Sequence, residues 1–466
     1  MGHSLLVNRL NIPFIVPSIE QVLSREPSSS KEIQLATGMN QATVSRRIRA
    51  MGDRIIRLKI GRSPHYMMTF DAFGNGDSLP LYMVDPHGNN TPIACLRPLA
   101  HGGFFLEKLP GMPSVLLGEG KNGLFKSLPY FLFDLAPQGY IGRQIAATMA
   151  EQADFPNDPK QWSVKHIGQY LTSNCDDLPG NLKLGAQAHL RLRKKPLAYT
   201  AEEYPKLAEA AMDGSIPGSS AGGEQPKFTA FCKDRSAHVI VKFSPKGDDA
   251  VAIRWRDILI TEFHAAEAIH AKNFPAAETR LIERDGRFFL ESQRFDRAGE
   301  FGRLSMVSLQ YVDAEFAGIG HGWHKVMKAL HGDNLVSWQH LYDTAVLWCF
   351  GKLINNTDMH LGNLSLSIEG DVFRILPVYD MCSMGFVPKG GEVRPFRFDS
   401  PDLDDLTMFP PEAAEEIRRS ASEMARDFWN RVARDGRISK DFRDFLSKGN
   451  PIDRSGTADI PQLDLL

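Results

Sequence analysis

The 466-residue chain has no apolar run near the roughly 20 residues that a membrane span requires. Its first twenty residues, "MGHSLLVNRLNIPFIVPSIE", lack the basic start, apolar stretch and small-residue cleavage site of a signal peptide, so none is expected. Cysteine is sparse. Cys95, Cys175, Cys232, Cys349 and Cys382 are scattered, odd in number and form no CxxC pair, so neither disulfides nor zinc is implied and a reducing cytoplasm is the expected compartment. Net charge is nearly absent, at −2, which excludes a protein that binds nucleic acid with its whole surface but allows one basic domain. There are no internal repeats and no low-complexity segment. The phosphate-loop pattern GxxxxGK[ST] is also missing.

What is present is an ordinary globular composition, 42% hydrophobic and 24% charged, long enough for about three or four domains. The first 70 residues carry ten Lys/Arg against four Asp/Glu, a local basic excess. Their pattern predicts helix, helix, turn, helix and hairpin. Ser28 to Ser30 offer an N-cap before "KEIQLA", Gly38 closes that helix, and Asn40 caps the next. In "QATVSRRIRAMG", Ala42, Val44, Ile48 and Met51 fall at helical spacing, leaving Gln41, Thr43, Arg46, Arg47 and Arg49 for other faces. "RIIRLKIGRSPHYMMTF" alternates as two strands about a turn. This order resembles a winged helix-turn-helix, in which those five polar residues would meet DNA. The other reading is a small packed domain with a solvated basic face.

Residues 71–140 read as a small β-rich unit, and helical patterns dominate residues 141–215. Then comes "GSSAGGEQPKFTAFCKDRSAHVIVKFSP", residues 218–245. A loop of small residues, including Ser219, Ser220, Ala221, Gly222 and Gly223, lets backbone N–H groups approach phosphate oxygens. Lys242, at the end of the second of two paired strands, can reach phosphates under that loop. Twenty residues on, Glu262 sits in an amphipathic helix where a carboxylate could hold the lysine. Loop, strand lysine and helix glutamate come in the order of a protein-kinase N-lobe. "RFFLESQRF" is either a plain sheet strand or the connector between lobes, with backbone near Gln293 and Phe295 meeting an adenine edge.

The stretch "LINNTDMHLGNLSLS", residues 353–367, is a helix end followed by a hairpin. Asp358 and Asn363 are five apart, the D-x-x-x-x-N spacing of a kinase catalytic loop, and Asp380 follows at the end of the hairpin's second strand. One carboxylate would accept the proton of an attacking hydroxyl. An amide and a second carboxylate would hold magnesium, which prefers hard oxygen ligands. His360 is expected to orient this nucleotide-facing loop by hydrogen bonds, since no His or Cys partner lies at metal-ligand spacing.

Together "SSAGGEQPK", "HVIVKFSP", "ESQRFDR", "SLQYVD", "NNTDMHLGNLSL" and "PVYDM" resemble the HipA family of bacterial Ser/Thr protein-kinase toxins, over about residues 70–440. The resemblance implies an α+β, protein-kinase-like bilobal fold with a β-rich N-lobe and a helical C-lobe, here preceded by the small helix-turn-helix domain. The expected division is 1–70, 71–140, 141–300 and 301–466. The resemblance further implies ATP and Mg²⁺ as cofactors and autophosphorylation at Ser220, with Ser219 as the alternative. It carries the ATP-contacting lysine onto Lys242, the catalytic aspartate onto Asp358, the magnesium ligands onto Asn363 and Asp380, and a nucleotide-contacting glutamine onto Gln310. The implied substrate is a protein such as an aminoacyl-tRNA synthetase, and the implied partner is a separate antitoxin. A proline in "GGEQPK" and the fused basic domain depart from the family pattern. Two other readings are a DNA-binding regulator whose kinase fold senses nucleotide, and a small-molecule kinase.

Overall fold

The computed structural model describes residues 16–152, 154–173, 177–186, 195–213, 225–398, 401 and 403–454. The N-terminal unit follows the sequence pattern closely. Helix α1 (Ile19–Leu23) opens on a capping box at Ser18, and α2 (Ser30–Thr37) on a second box between Ser29 and Glu32. Gly38 ends α2 in the left-handed conformation, φ 67°, that glycine adopts without strain. Asn40 caps α3 (Gln41–Ala50) by accepting from the Thr43 N–H at 2.9 Å. Strands β1 (Ser28–Ser29), β2 (Ile55–Ile60) and β3 (Ser63–Met68) form a sheet in the order β1-β3-β2. Val44, Ile33 and Leu23 are buried between helices and sheet, with Ile48 and Met51 beside them. Ala42, expected on this inner face, is exposed.

A five-stranded antiparallel sheet comes next, in the order β7-β6-β5-β4-β8, from β4 (Leu79–Val84), β5 (Asn90–Pro98), β6 (Phe104–Lys108), β7 (Leu124–Phe125) and β8 (Leu182–Leu184). The sheet therefore does not close at residue 140 as expected. Its edge strand arrives after two helices, Gly139–Gln152 and Val164–Ser173, because three residues carry too little alternation to announce a strand. The N-terminal unit is tied to this sheet by Arg97, which donates to Asp53 O at 2.6 Å and Asp77 O at 2.9 Å.

The second five-stranded sheet has the order β12-β13-β11-β10-β9: β9 (Ala198–Tyr199), β10 (Lys227–Cys232), β11 (Ala237–Phe243), β12 (Thr279–Arg284) and β13 (Arg287–Gln293). Strand alternation divides its side chains. Val239, Val241, Phe243 and Phe228 bury one face against the helix Tyr204–Asp213. Lys227, Thr229 and Phe231 stand directly opposite Lys242, Ile240 and His238 on the other face. The helix Ala250–Ala271 packs against β12 and β13 on one side and against the helix Pro411–Arg434 on the other. It is therefore covered on both sides, with Arg254, Asp257 and Glu262 among its buried residues. A helical lobe follows, built on Leu309–Phe316, Trp323–Gly332, Trp338–Leu353 and Pro411–Arg434. Its buried Trp429 donates its indole N–H to Leu353 O at 3.1 Å. No described helix is long and apolar enough to cross a membrane, and the four described cysteines are free.

Where the two five-stranded sheets meet, the packing around Gly302 is tight. Arg303 N–H donates to Asp85 O at 3.0 Å, and a Cβ on Gly302 would stand 1.9 Å from Pro86 O and 2.5 Å from Ala298 O, both backbone atoms. Gly302→Ala should therefore cost about 2 kcal/mol or more and lower Tm by several degrees. Thermal unfolding at wild-type Tm would sink this account of the seam.

Candidate active site

The site is built where the second sheet, the long helix and the hairpin Ser365–Glu369/Val372–Ile375 converge. Strand pairing sets Lys242 at the end of β11, facing the helix Ala250–Ala271. One buried ammonium then meets two carboxylates. Lys242 Nζ lies 2.5 and 2.6 Å from the Glu262 oxygens and 2.6 Å from Asp380 Oδ1. Burial alone would depress the lysine pKa, but Asp380 and then Glu262 outweigh it and hold the ammonium charged. Burial likewise pushes Asp380 upward, and the Lys242 charge overrides it and holds the carboxyl down at about 2. Glu262 is raised by burial, with Lys242 pulling against it and Asp380 adding repulsion. Asp380 keeps a third of its side chain exposed and has φ 54°, a left-handed conformation costing about 1 kcal/mol or more that the surrounding structure sustains.

The loop ahead of the hairpin is held by its own polar groups. Helix Trp338–Leu353 ends at Asn355, whose φ of 60° turns the chain out of the helix. Asn356 is buried and accepts from the Asp358 N–H at 3.0 Å, while its amide reaches Asp380 O at 3.5 Å. Asn363 donates through Nδ2 to Asp358 O at 2.7 Å, which turns its amide oxygen the other way. Asp358 itself is half exposed, with His360 Nε2 3.9 Å from Oδ1. His360 Nδ1 accepts from Gly362 N–H at 3.1 Å, and Trp323 donates to His360 O at 2.9 Å. So His360 caps the loop by hydrogen bonds, and no described cluster of three His, Cys, Asp or Glu makes a metal cage. Asp380 and the Asn363 oxygen are hard donors of the kind Mg²⁺ takes when phosphate and water complete its six ligands.

The remaining candidates fall as follows. Gln310 is exposed in the first turn of Leu309–Phe316, where its Oε1 borders Gly362. Gln293 ends β13. Its N–H donates to Glu278 O at 2.9 Å and its side chain accepts from Arg235 at 2.9 Å, so its main-chain donor is already spent. Phe295 lies beyond the strand, its ring 5.8 Å from that of Tyr379, the neighbour of Asp380. Ser219, Ser220, Ala221, Gly222 and Gly223 lie outside the described residues. Far from this cleft in sequence, Gln41, Arg46, Arg47 and Arg49 are exposed on α3, and Thr43 is partly covered.

Three contributors escaped the sequence reading. Lys227 pairs in register with Lys242 on the same sheet face and lowers the carboxyl of Asp380 alongside it. Lys227 becomes visible only through the strand register, which sequence alone does not set. Asn356 reads as a helix terminator in "NNTD" but links the Asp358 loop to Asp380. Tyr379 donates to Gly362 O at 3.0 Å and meets Ser365 Oγ at 3.0 Å, holding the loop's far side.

Residues 75–193 match the family described as YjjJ-like toxin, middle domain, and residues 219–435 the HipA-like C-terminal domain. Toxin YjjJ of Escherichia coli (strain K12) is 34% identical over 435 residues, covering 91% of this chain and 94% of that protein. HipA of Shewanella oneidensis MR-1, solved as a toxin–antitoxin complex with HipB and operator DNA, superposes with a TM-score of 0.59 at 16% identity, over 81% of this chain and 96% of that one. The Helicobacter pylori proinflammatory kinase CtkA superposes more loosely, with a TM-score of 0.36 at 13% identity over 50% of this chain and 90% of its own. The superposition on HipA, with the sheets and helices described above, gives the α+β, kinase-like fold expected.

Asp380 is held ionised by Lys242, so its stabilising share is complete above the ordinary carboxylate range and is lost as pH falls toward 2. Lys242→Met removes the ammonium and leaves two carboxylates to repel, a repulsion that protonation relieves. The variant should lose about 3–5 kcal/mol at pH 7, and its deficit should shrink as pH falls from 8 to 5. A pH series of unfolding curves checks this. A deficit that is flat or grows toward acid would contradict it.

Proposed function

Because the chain belongs to the family of YjjJ- and HipA-like toxins, we propose that it is an ATP- and Mg²⁺-dependent Ser/Thr protein kinase acting in the cytoplasm. The observation that carries this reading is the Lys242 ammonium clamped between Glu262 and Asp380, with the Asp358–Asn363 loop anchored to Asp380 through Asn356. Phosphoryl transfer asks for positioning and charge neutralisation more than covalent chemistry, and the site offers both. Lys242, with Lys227 beside it, faces the phosphates, and Glu262 fixes the Lys242 head. Asp380 and the Asn363 oxygen would hold Mg²⁺, which when bound neutralises phosphate charge. Asp358, half exposed and free of any strong acceptor duty within its loop, orients the attacking hydroxyl and takes its proton. His360 and Gln310 border the nucleotide. An adenine edge would meet main chain around the Gln293 carbonyl and Phe295.

The acceptor in trans is a protein of the translation apparatus, such as an aminoacyl-tRNA synthetase, and in cis it is Ser220 or Ser219 of the small-residue loop. The functional division is residues 1–70 as a DNA-binding module, then a middle unit that runs through β8 at Leu182–Leu184, and beyond it the two lobes, the second over residues 301–466. Support for the first is the winged helix-turn-helix order of α1–α3 and β1–β3, with Arg46, Arg47 and Arg49 exposed on the second helix of the pair. HipA of Shewanella is seen in a complex with HipB and its operator DNA. Here the fused module would contact DNA or restrain the kinase itself, and a separate antitoxin is the other partner to seek.

Asp358→Asn should keep ATP binding within a few-fold and lose about 10²–10⁴-fold in γ-phosphate transfer to itself or to a lysate, followed by mass-spectrometric phosphosite mapping. Unchanged transfer would remove Asp358 from the mechanism. For the module, Arg46→Ala with Arg47→Ala should weaken DNA binding and reduce the slope of log K against log[salt] by about 2. A preserved slope would mean that α3 does not face the phosphates.

A further inference from the structure

The helix Leu309–Phe316, which carries Gln310, is capped from outside its own lobe. Its N-cap, Ser308, makes no side-chain bond to the helix it opens. Instead Asp134 of the middle unit takes both Ser308 donors. The Ser308 N–H donates to Asp134 Oδ2 at 2.7 Å, and the Ser308 hydroxyl to Asp134 Oδ1 at 2.7 Å. Asp134 ends the short helix Tyr130–Phe133 and falls within residues 75–193, whereas Ser308 falls within the HipA-like domain. A carboxylate at a helix N-terminus is favoured by the helix dipole as well as by the hydrogen bonds it accepts. Two ring contacts extend the junction. Phe133 stacks on Tyr311 with centroids 6.0 Å apart, and Tyr130 meets Phe316 edge-on at 5.5 Å.

From Ser308 the contacts run into the loop that carries Asp358 and Asn363. Val307 and Ser308 pair antiparallel with Leu366 and Ser365. Leu309 N–H donates to Leu364 O at 2.8 Å. Ser365 Oγ meets the Tyr379 hydroxyl at 3.0 Å, and Tyr379 donates onward to Gly362 O at 3.0 Å. Gly362 and Leu364 flank Asn363, and Gln310 Oε1 borders Gly362. Ser308, Leu309, Leu364 and Ser365 are all buried, so a shift at the Asp134 end finds little slack to absorb it. A metal ligand must be held within about 0.5 Å of its working place by the groups behind it. The groups behind Asn363 lead back, bond by bond, to Asp134.

We propose that Asp134 is a positioning residue for the catalytic site. Through Ser308 it fixes the segment 362–365, and with it Asn363, so the middle unit is a working part of the kinase and not an appended domain. This rests on the kinase reading and on Asn363 as a magnesium ligand. Asp134→Ala would leave the buried Ser308 N–H and hydroxyl without their acceptors, and the segment they anchor would loosen.

The test follows amide hydrogen exchange of the full chain by mass spectrometry. It also titrates the same protein by calorimetry with a non-hydrolysable ATP analogue, in Mg²⁺ and in EDTA. Three variants are compared. Asp134→Ala removes the acceptors, Asp134→Asn keeps an amide oxygen for the Ser308 N–H, and Leu96→Ala opens a cavity in β5, the central strand of the same unit. In Asp134→Ala, exchange over residues 309–312 and 361–365 should rise about tenfold. The gain in affinity that Mg²⁺ confers should shrink about tenfold, as it does when a group behind a metal ligand is lost. Asp134→Asn should recover most of both losses. Leu96→Ala, although less stable, should change neither by more than about twofold. Unchanged exchange over 361–365 in Asp134→Ala, equal losses in Leu96→Ala, or no recovery in Asp134→Asn would each overturn the proposal. Faster exchange with the Mg²⁺ gain intact would reduce Asp134 to a part of the fold and overturn it too. Wild-type protein that binds no analogue would sink the kinase reading, while the exchange data would still decide whether Asp134 holds the loop.

Discussion

The ammonium of Lys242 is the point on which the arrangement turns. A buried lysine is tolerated only when opposite charge stands within contact, and here two carboxylates do so from different parts of the chain. Glu262 belongs to the long central helix and Asp380 to the segment after the hairpin in the helical lobe. Satisfying one cation therefore fixes the strand, the helix and the opposite lobe relative to one another. Because two carboxylates share one lysine, the trio is left with a deficit of positive charge facing the cleft. Such a site accepts a further cation more readily than an anion alone, which suits a nucleotide arriving with its metal.

The same economy explains the loop that carries Asp358. Its backbone is held by Asn356, Asn363, His360 and Tyr379, while the Asp358 carboxylate is left half exposed. Rigidity is supplied by neighbours, and the acidic group stays available. The strained φ of Asp380 belongs to the same picture, since the amide of Asn356 lies against its carbonyl.

Much of this was legible before any coordinates. Caps at Ser29, Gly38 and Asn40, and the alternation around Lys242, are local signals, and local signals survive folding. The ordered set Lys242, Glu262, Asp358, Asn363 and Asp380 was found because its members sit at fixed places on strong elements. The misses share a cause. Asn356 and Tyr379 act through long-range contacts that spacing does not encode, and Lys227 is visible only once strand register is known. Ala42 obeys helical spacing but lies outside the stripe that the sheet covers. The ion pairs at the seam need residues more than a hundred positions apart, Asp177 with Arg297, and no window of sequence contains both.

The late edge strand has a consequence for synthesis. β4, the neighbour it pairs with, leaves the ribosome about a hundred residues before β8 does. Until then, β4 carries an open backbone edge in a crowded cell, the kind of edge that recruits other chains. The helices Gly139–Gln152 and Val164–Ser173 are made during that interval, before the strand that closes the edge. The exposure of that edge therefore lasts for as long as residues 139–184 take to be made.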